Sequence, residues 1–278
     1  MCLINLINMD IKSIIDTASR FTYPTKEELE SANKLFTDIP IFEYEYISDR
    51  EAIMSPDHKL AHKKNHLYNW NFCLQNKLAK LRFAYTNSIV FYNRGIPTKN
   101  DKPDSDLHIN QIQFNFYSET FYYFLFSVRD IILQIINVYF DLGFEENRVY
   151  QGRIIKRLRN QPVNKILIKY SKQLEDSEKI RQTFTHRFPV NEPDYRSSYR
   201  EVTYEPSRDI LVKIKQCLPD KSQVNNPNNG TSHTVKEFGV SAGFSKGKEL
   251  NEIYDDMIKA SAIMSKFIQD LKEVMKPI

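Results

Sequence analysis

Apolar residues return at helical spacing along most of the chain. Leu60, Leu67, Trp70, Leu74, Leu78, Leu81, Tyr85 and Ile89 fall on one side of a helix predicted over residues 56–92. Ser55-Pro56-Asp57 gives it a start: a cap, a proline in the first turn and an acid. Arg94-Gly95-Ile96-Pro97 gives it a stop, and a polar loop over 97–110 follows. A second long helix is predicted over 118–142, capped by Ser118 and stopped at Gly143. Ser127, Asp130, Gln134, Asn137 and Asp141 form its one polar stripe. The rest is almost wholly apolar, as expected of the central helix of a bundle. A last helix over 246–275 carries Leu250, Ile253, Tyr254, Met257, Ile258, Ala260, Ile263, Met264, Phe267, Ile268, Leu271 and Val274 on a broad apolar face.

Shorter elements fill the gaps. A helix is expected over 4–19. Thr25 and Glu28 form a capping-box pattern that opens a helix to residue 36. Residues 40–48 alternate apolar and acidic residues, so they read as a short strand or extended arm. A basic helix over 146–160 and another over 162–174, opened by Pro162, precede one that Pro189 ends. Residues 189–208 are rich in proline and tyrosine, and a helix is expected over 207–218. Residues 220–234 have no apolar pattern and read as a mobile loop. The fold expected is an all-α, up-down helical bundle over 51–278, with an N-terminal extension over 1–50 and a mobile loop before the last helix.

Composition narrows the chemistry. Of 278 residues, 41% are hydrophobic, enough for a substantial core. Seven glycines argue against a loop-rich all-β fold or a glycine-cradled phosphate site. Residues 243–248 hold two glycines and two lysines but lack the leading strand and the spacing of a phosphate loop. Cys2, Cys73 and Cys217 form neither a disulfide framework nor a metal knuckle, which fits a reducing, cytoplasmic setting. Residues 1–15 lack the basic start and cleavage site of a signal peptide. The most apolar run, 121–140, carries Arg129 and Asp130 at its centre, which argues against a membrane span. Arg129 lies in line with Tyr122, Leu125, Ile132 and Ile136, where a charge needs a partner or a function.

Charge is uneven. The chain totals +4, yet residues 148–187 hold eleven Lys and Arg against three acids. Lys156, Arg157 and Arg159 are the densest part and are candidates for binding RNA; the competing reading is a solvated basic face. His58, His62 and His66 recur one turn apart. A third ligand for zinc is not indicated, and Lys59, Lys63 and Lys64 would repel a cation, so an exposed helix face is expected and no metal is assigned.

The most chemically pointed stretch is Arg181-Gln182-Thr183-Phe184-Thr185-His186. A guanidinium binds phosphate, and an imidazole near a helix C-terminus can carry a proton at neutral pH. Five positions on an ideal helix differ by roughly 140°, so one helix aims the two groups apart. A distorted last turn, or two copies meeting about a two-fold axis, would bring such groups into one cleft. The plainer reading pairs Arg181 with Glu178 or Asp176 and leaves His186 as a helix cap.

The same hexapeptide resembles the Arg-(four to six residues)-His signature of HEPN domains. His186-Arg187 and the preceding Ser127-Val128-Arg129-Asp130 are similar to the clostridial type. The resemblance implies a helical homodimer with both motifs in one groove, and in many members a metal-independent endoribonuclease of toxin–antitoxin or phage-defence systems. It implies Arg181 and His186 as catalytic residues, Gln182, Thr185, Arg187 and Arg129 as supporting groups, no cofactor, and RNA and an antitoxin protein as partners. Gln182 departs from the Asn, Asp or His that often follows the arginine in active members. Two other readings stand beside the nuclease: a non-catalytic module binding RNA, nucleotide or protein, and a structural protein using the face of its last helix.

Overall fold

The computed structural model describes residues 19–97, 106–186, 195–204, 233–242 and 250–276; side chains are described outside Asp49, Thr185, His186 and the two strands. Eight α-helices are described: α1 (Lys26–Asn33), α2 (Asp49–Met54), α3 (His58–Asn93), α4 (Asp106–Tyr139), α5 (Gln151–Arg157), α6 (Pro162–Gln173), α7 (Glu175–His186) and α8 (Leu250–Val274). The body is all-α, as the periodicity predicts. The helices predicted over 4–19 and 207–218, most of the loop over 220–234, and residues 243–248 lie outside the described residues.

The core is a long antiparallel pair, α3 on α4, because both helices carry an almost continuous apolar face. Leu67, Leu74, Leu81, Tyr85 and Ile89 of α3 are fully buried against Phe121, Tyr122, Leu125, Ile132 and Ile136 of α4. Leu60, predicted inward, is exposed, and Trp70 is only half-buried. Two starts also differ from expectation. Asp57, not Ser55, caps α3: its carboxylate accepts from the Leu60 amide at 2.9 Å. Ser118 caps nothing. It is buried mid-helix, and its hydroxyl donates to the Asn115 carbonyl, because α4 begins at Asp106. Asp141 and Gly143 have positive φ at the far end, and the Asn137 amide closes that turn on both backbone groups of Phe144.

By length and composition α4 could cross a membrane, yet 61% of its most apolar window is buried within the protein. That burial marks it as the central core helix.

Residues 26–54 pack onto this pair. The Thr25–Glu28 capping box forms as predicted, and such caps contribute about 1 kcal/mol. Residues 40–48 are an extended arm without strand pairing. Phe42 and Tyr44 point into the core, and side chains of α3 replace a partner strand: Asn71 donates to the Phe42 carbonyl and Asn65 accepts from the Ile47 amide. The basic region over 146–160 splits into a 3-10 turn (Glu146–Arg148) and α5, because Tyr150 between them is extended.

The remaining helices cover the pair. α8 packs on α6, α7, α4 and α3, burying Ile253, Met257, Ala260, Met264, Phe267 and Leu271. Its face is as broad as the sequence predicts, and several neighbours share it. A separate unit over residues 192–247 contains an antiparallel hairpin, β1 (Tyr195–Tyr204) with β2 (His233–Ala242), in register from Tyr195↔Ala242 to Tyr204↔His233. Neither strand is expected from the apolar pattern of the sequence.

Candidate functional site

The motif lies on α7, so the site begins with what fixes that helix. Ser177 and Ile180 are buried and Phe184 packs on the core, giving α7 an inward face at i, i+3 and i+7. A polar network locks this face. Tyr122 of α4, fully buried, donates its hydroxyl to Asp256 Oδ2 of α8 at 2.8 Å. Ser177 of α7 donates to the same oxygen at 2.8 Å. Burial, then the Asp256 charge, pushes the Tyr122 phenol well above its usual value, so it stays a donor. One carboxylate thus joins three helices. The Tyr122 and Phe184 rings also meet, 6.0 Å between centroids.

Arg129, the charge on the apolar side of α4, has the partner its position demands. Its Nη1 lies 3.3 Å from Glu178 Oε1 of α7, and its Nε 3.4 Å from Asp130 Oδ1. Asp176 is engaged by Lys179 at 3.3 Å. The guanidiniums of Arg129 and Arg181 each lie over the ring of Phe126, at 4.8 and 5.3 Å from its centroid. The structure therefore brings Arg129 beside the motif helix.

Arg181 itself lines a cleft of about 270 Å³ between α4 and α7, with Phe116, Glu119, Thr120, Tyr123, Phe124 and Phe184. Lys77 Nζ of α3 lies 5.3 Å from the Phe124 ring centroid and 6.0 Å from that of Tyr123; Lys80 Nζ is 6.0 Å from Phe124. The cleft is aromatic walls with three cations around them. Sequence reasoning missed Phe116, Tyr123 and Phe124 here. Phe116 and Tyr123 are seven positions apart on α4 and both are over half exposed (60% and 54%), which apolar spacing alone does not tell from core positions.

Gln182 is exposed. The backbone of α7 runs through Thr185 and His186, whose side chains lie outside the described residues, as does Arg187. Lys156 and Arg157 at the end of α5, and Arg159 just beyond, are exposed; no hydrogen bond or ion pair joins them to another group among the described residues. His62 and His66 stack at 5.4 Å, and His58 meets the Ala52 carbonyl at 3.2 Å. No group of three or more His, Cys, Asp and Glu side chains placed to hold a metal occurs among the described residues.

No curated protein and no solved structure matches the chain. A family model described as Cthe2314-like HEPN matches residues 70–237, a span running from α3 through the motif helix into β2. That match covers over half of the sequence and contains the Arg181–His186 motif, so the chain belongs to the Cthe2314-like HEPN family.

Proposed function

We propose that the protein is a metal-independent endoribonuclease of the toxin or phage-defence type, cytoplasmic and working as a homodimer, with residues 51–278 as its HEPN-like domain. The observation that carries this is Arg181, half-buried and lining an open cleft on a helix fixed by Tyr122, Asp256 and Ser177.

RNA can be cut by its own 2′-hydroxyl. That oxygen attacks the adjacent phosphorus while the P–O5′ bond breaks, leaving a 2′,3′-cyclic phosphate and a 5′-hydroxyl. The step needs a base for the 2′-OH proton, an acid for the leaving O5′, and positive charge on the phosphorane oxygens. His186 supplies the base from one protomer and the acid from the other, and Arg181 holds the phosphate. Gln182, Thr185 and Arg187 support that grip, and Arg129 braces α7 through Glu178. Lys156, Arg157 and Arg159 draw in the phosphate backbone. An antitoxin protein would cover the groove.

The test is cleavage of single-stranded RNA with chelator present. Wild type cuts, and His186→Ala does not while its helical circular dichroism is unchanged. Equal cutting by the variant removes the proposal. Gln182 favours a second reading, a non-catalytic RNA-binding dimer. It predicts RNA affinity that survives His186→Ala and falls steeply with salt.

A further inference from the structure

We infer that the cleft between α4 and α7 is a stacking slot for one unpaired base of single-stranded RNA, and that Glu119 selects guanine in it. This rests on the reading of the protein as an RNA-directed HEPN domain and adds the feature of the RNA that the site recognises.

The walls are the first reason. Phe116, Tyr123, Phe124 and Phe184 present aromatic surface in a space of about 270 Å³ that opens to solvent. Exposed rings lining a concavity are what an unstacked base seeks, because every base has an apolar face that stacks on them. Charge is the second reason. A surface built to bury a second protein chain is depleted of charge at its centre. Here Arg181 lines the slot, and Lys77 and Lys80 approach its rings within 6.0 Å. A base on the rings therefore carries its flanking phosphates among three cations.

Glu119 gives the slot a preference. It is exposed, it lines the cleft, and it makes no ion pair among the described residues. An ionised carboxylate only accepts hydrogen bonds. Guanine offers two parallel N–H donors, at N1 and its exocyclic amine, which match the two carboxylate oxygens. Thr120 has its hydroxyl hydrogen committed to the Phe116 carbonyl at 2.7 Å, so it too faces the slot as an acceptor.

The experiment uses the full chain and 2′-O-methyl oligonucleotides, which bind but lack the hydroxyl needed for cutting. One oligonucleotide is all uridine and one carries a single guanine; binding is read by fluorescence anisotropy and protein mass by sedimentation. The guanine oligonucleotide binds more tightly. Tyr123→Leu and Phe116→Leu keep apolar bulk but lose stacking, and each weakens binding about tenfold at unchanged protein mass. Glu119→Gln erases the guanine preference and leaves uridine affinity as it was. Wild-type affinity in both leucine variants, or a change in mass that accounts for lost binding, overturns the slot; the latter makes a second copy the occupant. A guanine preference that survives Glu119→Gln overturns the role of Glu119. Cutting of ordinary RNA is scored in parallel. Cutting retained by His186→Ala would end the nuclease reading and leave the slot standing; unchanged binding in the leucine variants would do the reverse.

Discussion

Arg129 of α4 reaches Glu178 of α7 at 3.3 Å while lying over the Phe126 ring, so the charge inside the apolar stripe of α4 holds the motif helix. Both side chains are partly shielded from water, 19% and 34% exposed, which lifts the pair above an ordinary surface bridge. Arg129→Met keeps stem and bulk but loses the charge, and is expected to cost about 1–2 kcal/mol. Glu178→Gln should cost less, and the double variant little more than Arg129→Met alone. Urea unfolding of the four proteins gives the coupling energy, expected at about 1 kcal/mol. Strict additivity would mean that the contact contributes nothing.

The Tyr122–Asp256–Ser177 network makes a sharper demand. Asp256→Ala takes the acceptor from the Ser177 hydroxyl and leaves the buried Tyr122 hydroxyl only its longer contact, 3.4 Å, with the Ile253 carbonyl; an unsatisfied buried donor costs about 1–3 kcal/mol. Tyr122→Phe removes donor and need together, so its cost should be smaller. Chemical denaturation should therefore rank Asp256→Ala as the more destabilising. RNA affinity, if α7 is positioned by this network, should fall in the same order.

Acid stability follows from two carboxylates. Glu28 accepts two hydrogen bonds from Arg94 at 2.8 Å, and that contact first of all lowers it from 4.5 to about 2. Burial pushes Asp270 upward, but hydrogen bonds from Lys266, Tyr170 and Lys169 together override it, lowering it from 3.8 to about 2. Both folded values lie below the unfolded ones, so both groups stabilise the fold above about pH 4.5. That contribution is lost as pH falls from there through about 2. Glu28→Gln combined with Asp270→Asn should lower the melting temperature at pH 7 and flatten its decline between pH 5 and 2. An equally steep decline in the variant would assign acid unfolding to other groups.

The helices were legible because a buried helix repeats its apolar residues. Leu67, Leu74, Leu78, Leu81, Tyr85 and Ile89, and Ile253, Met257, Ala260, Met264, Phe267, Ile268 and Leu271, are buried as their spacing predicts, while Trp70, Tyr254, Ile258 and Ile263 are half-buried. Ends were less legible. Ser118 has the side chain of a cap, but only the packing of α4 shows that the helix has already begun at Asp106. Arg129 declared its need for a partner, yet Glu178 lies 49 positions away, and no local pattern joins them. Tyr122, Ser177 and Asp256 meet only through the fold. Phe116 and Tyr123 were hidden differently: periodicity counts an aromatic as core, and only the surface distinguishes a ring that faces water.

Lys156, Arg157 and Arg159 give the last prediction, because they separate attraction from recognition. They are exposed and unpaired among the described residues, so a phosphate backbone meets them without breaking any protein contact. Each phosphate neutralised on a single strand adds about 0.7 to the slope of log affinity against log salt. Replacing all three with alanine should lower that slope by about 2 and weaken binding at low salt far more than at high salt. Because such contacts read no sequence, guanine and uridine oligonucleotides should weaken by the same factor. Folding stability should barely move, since no hydrogen bond or ion pair among the described residues is lost. Anisotropy titrations at several salt concentrations give the slope. A triple variant with the wild-type slope would show that this basic face never meets RNA, and that the anionic ligand is held by Arg181 and its neighbours instead.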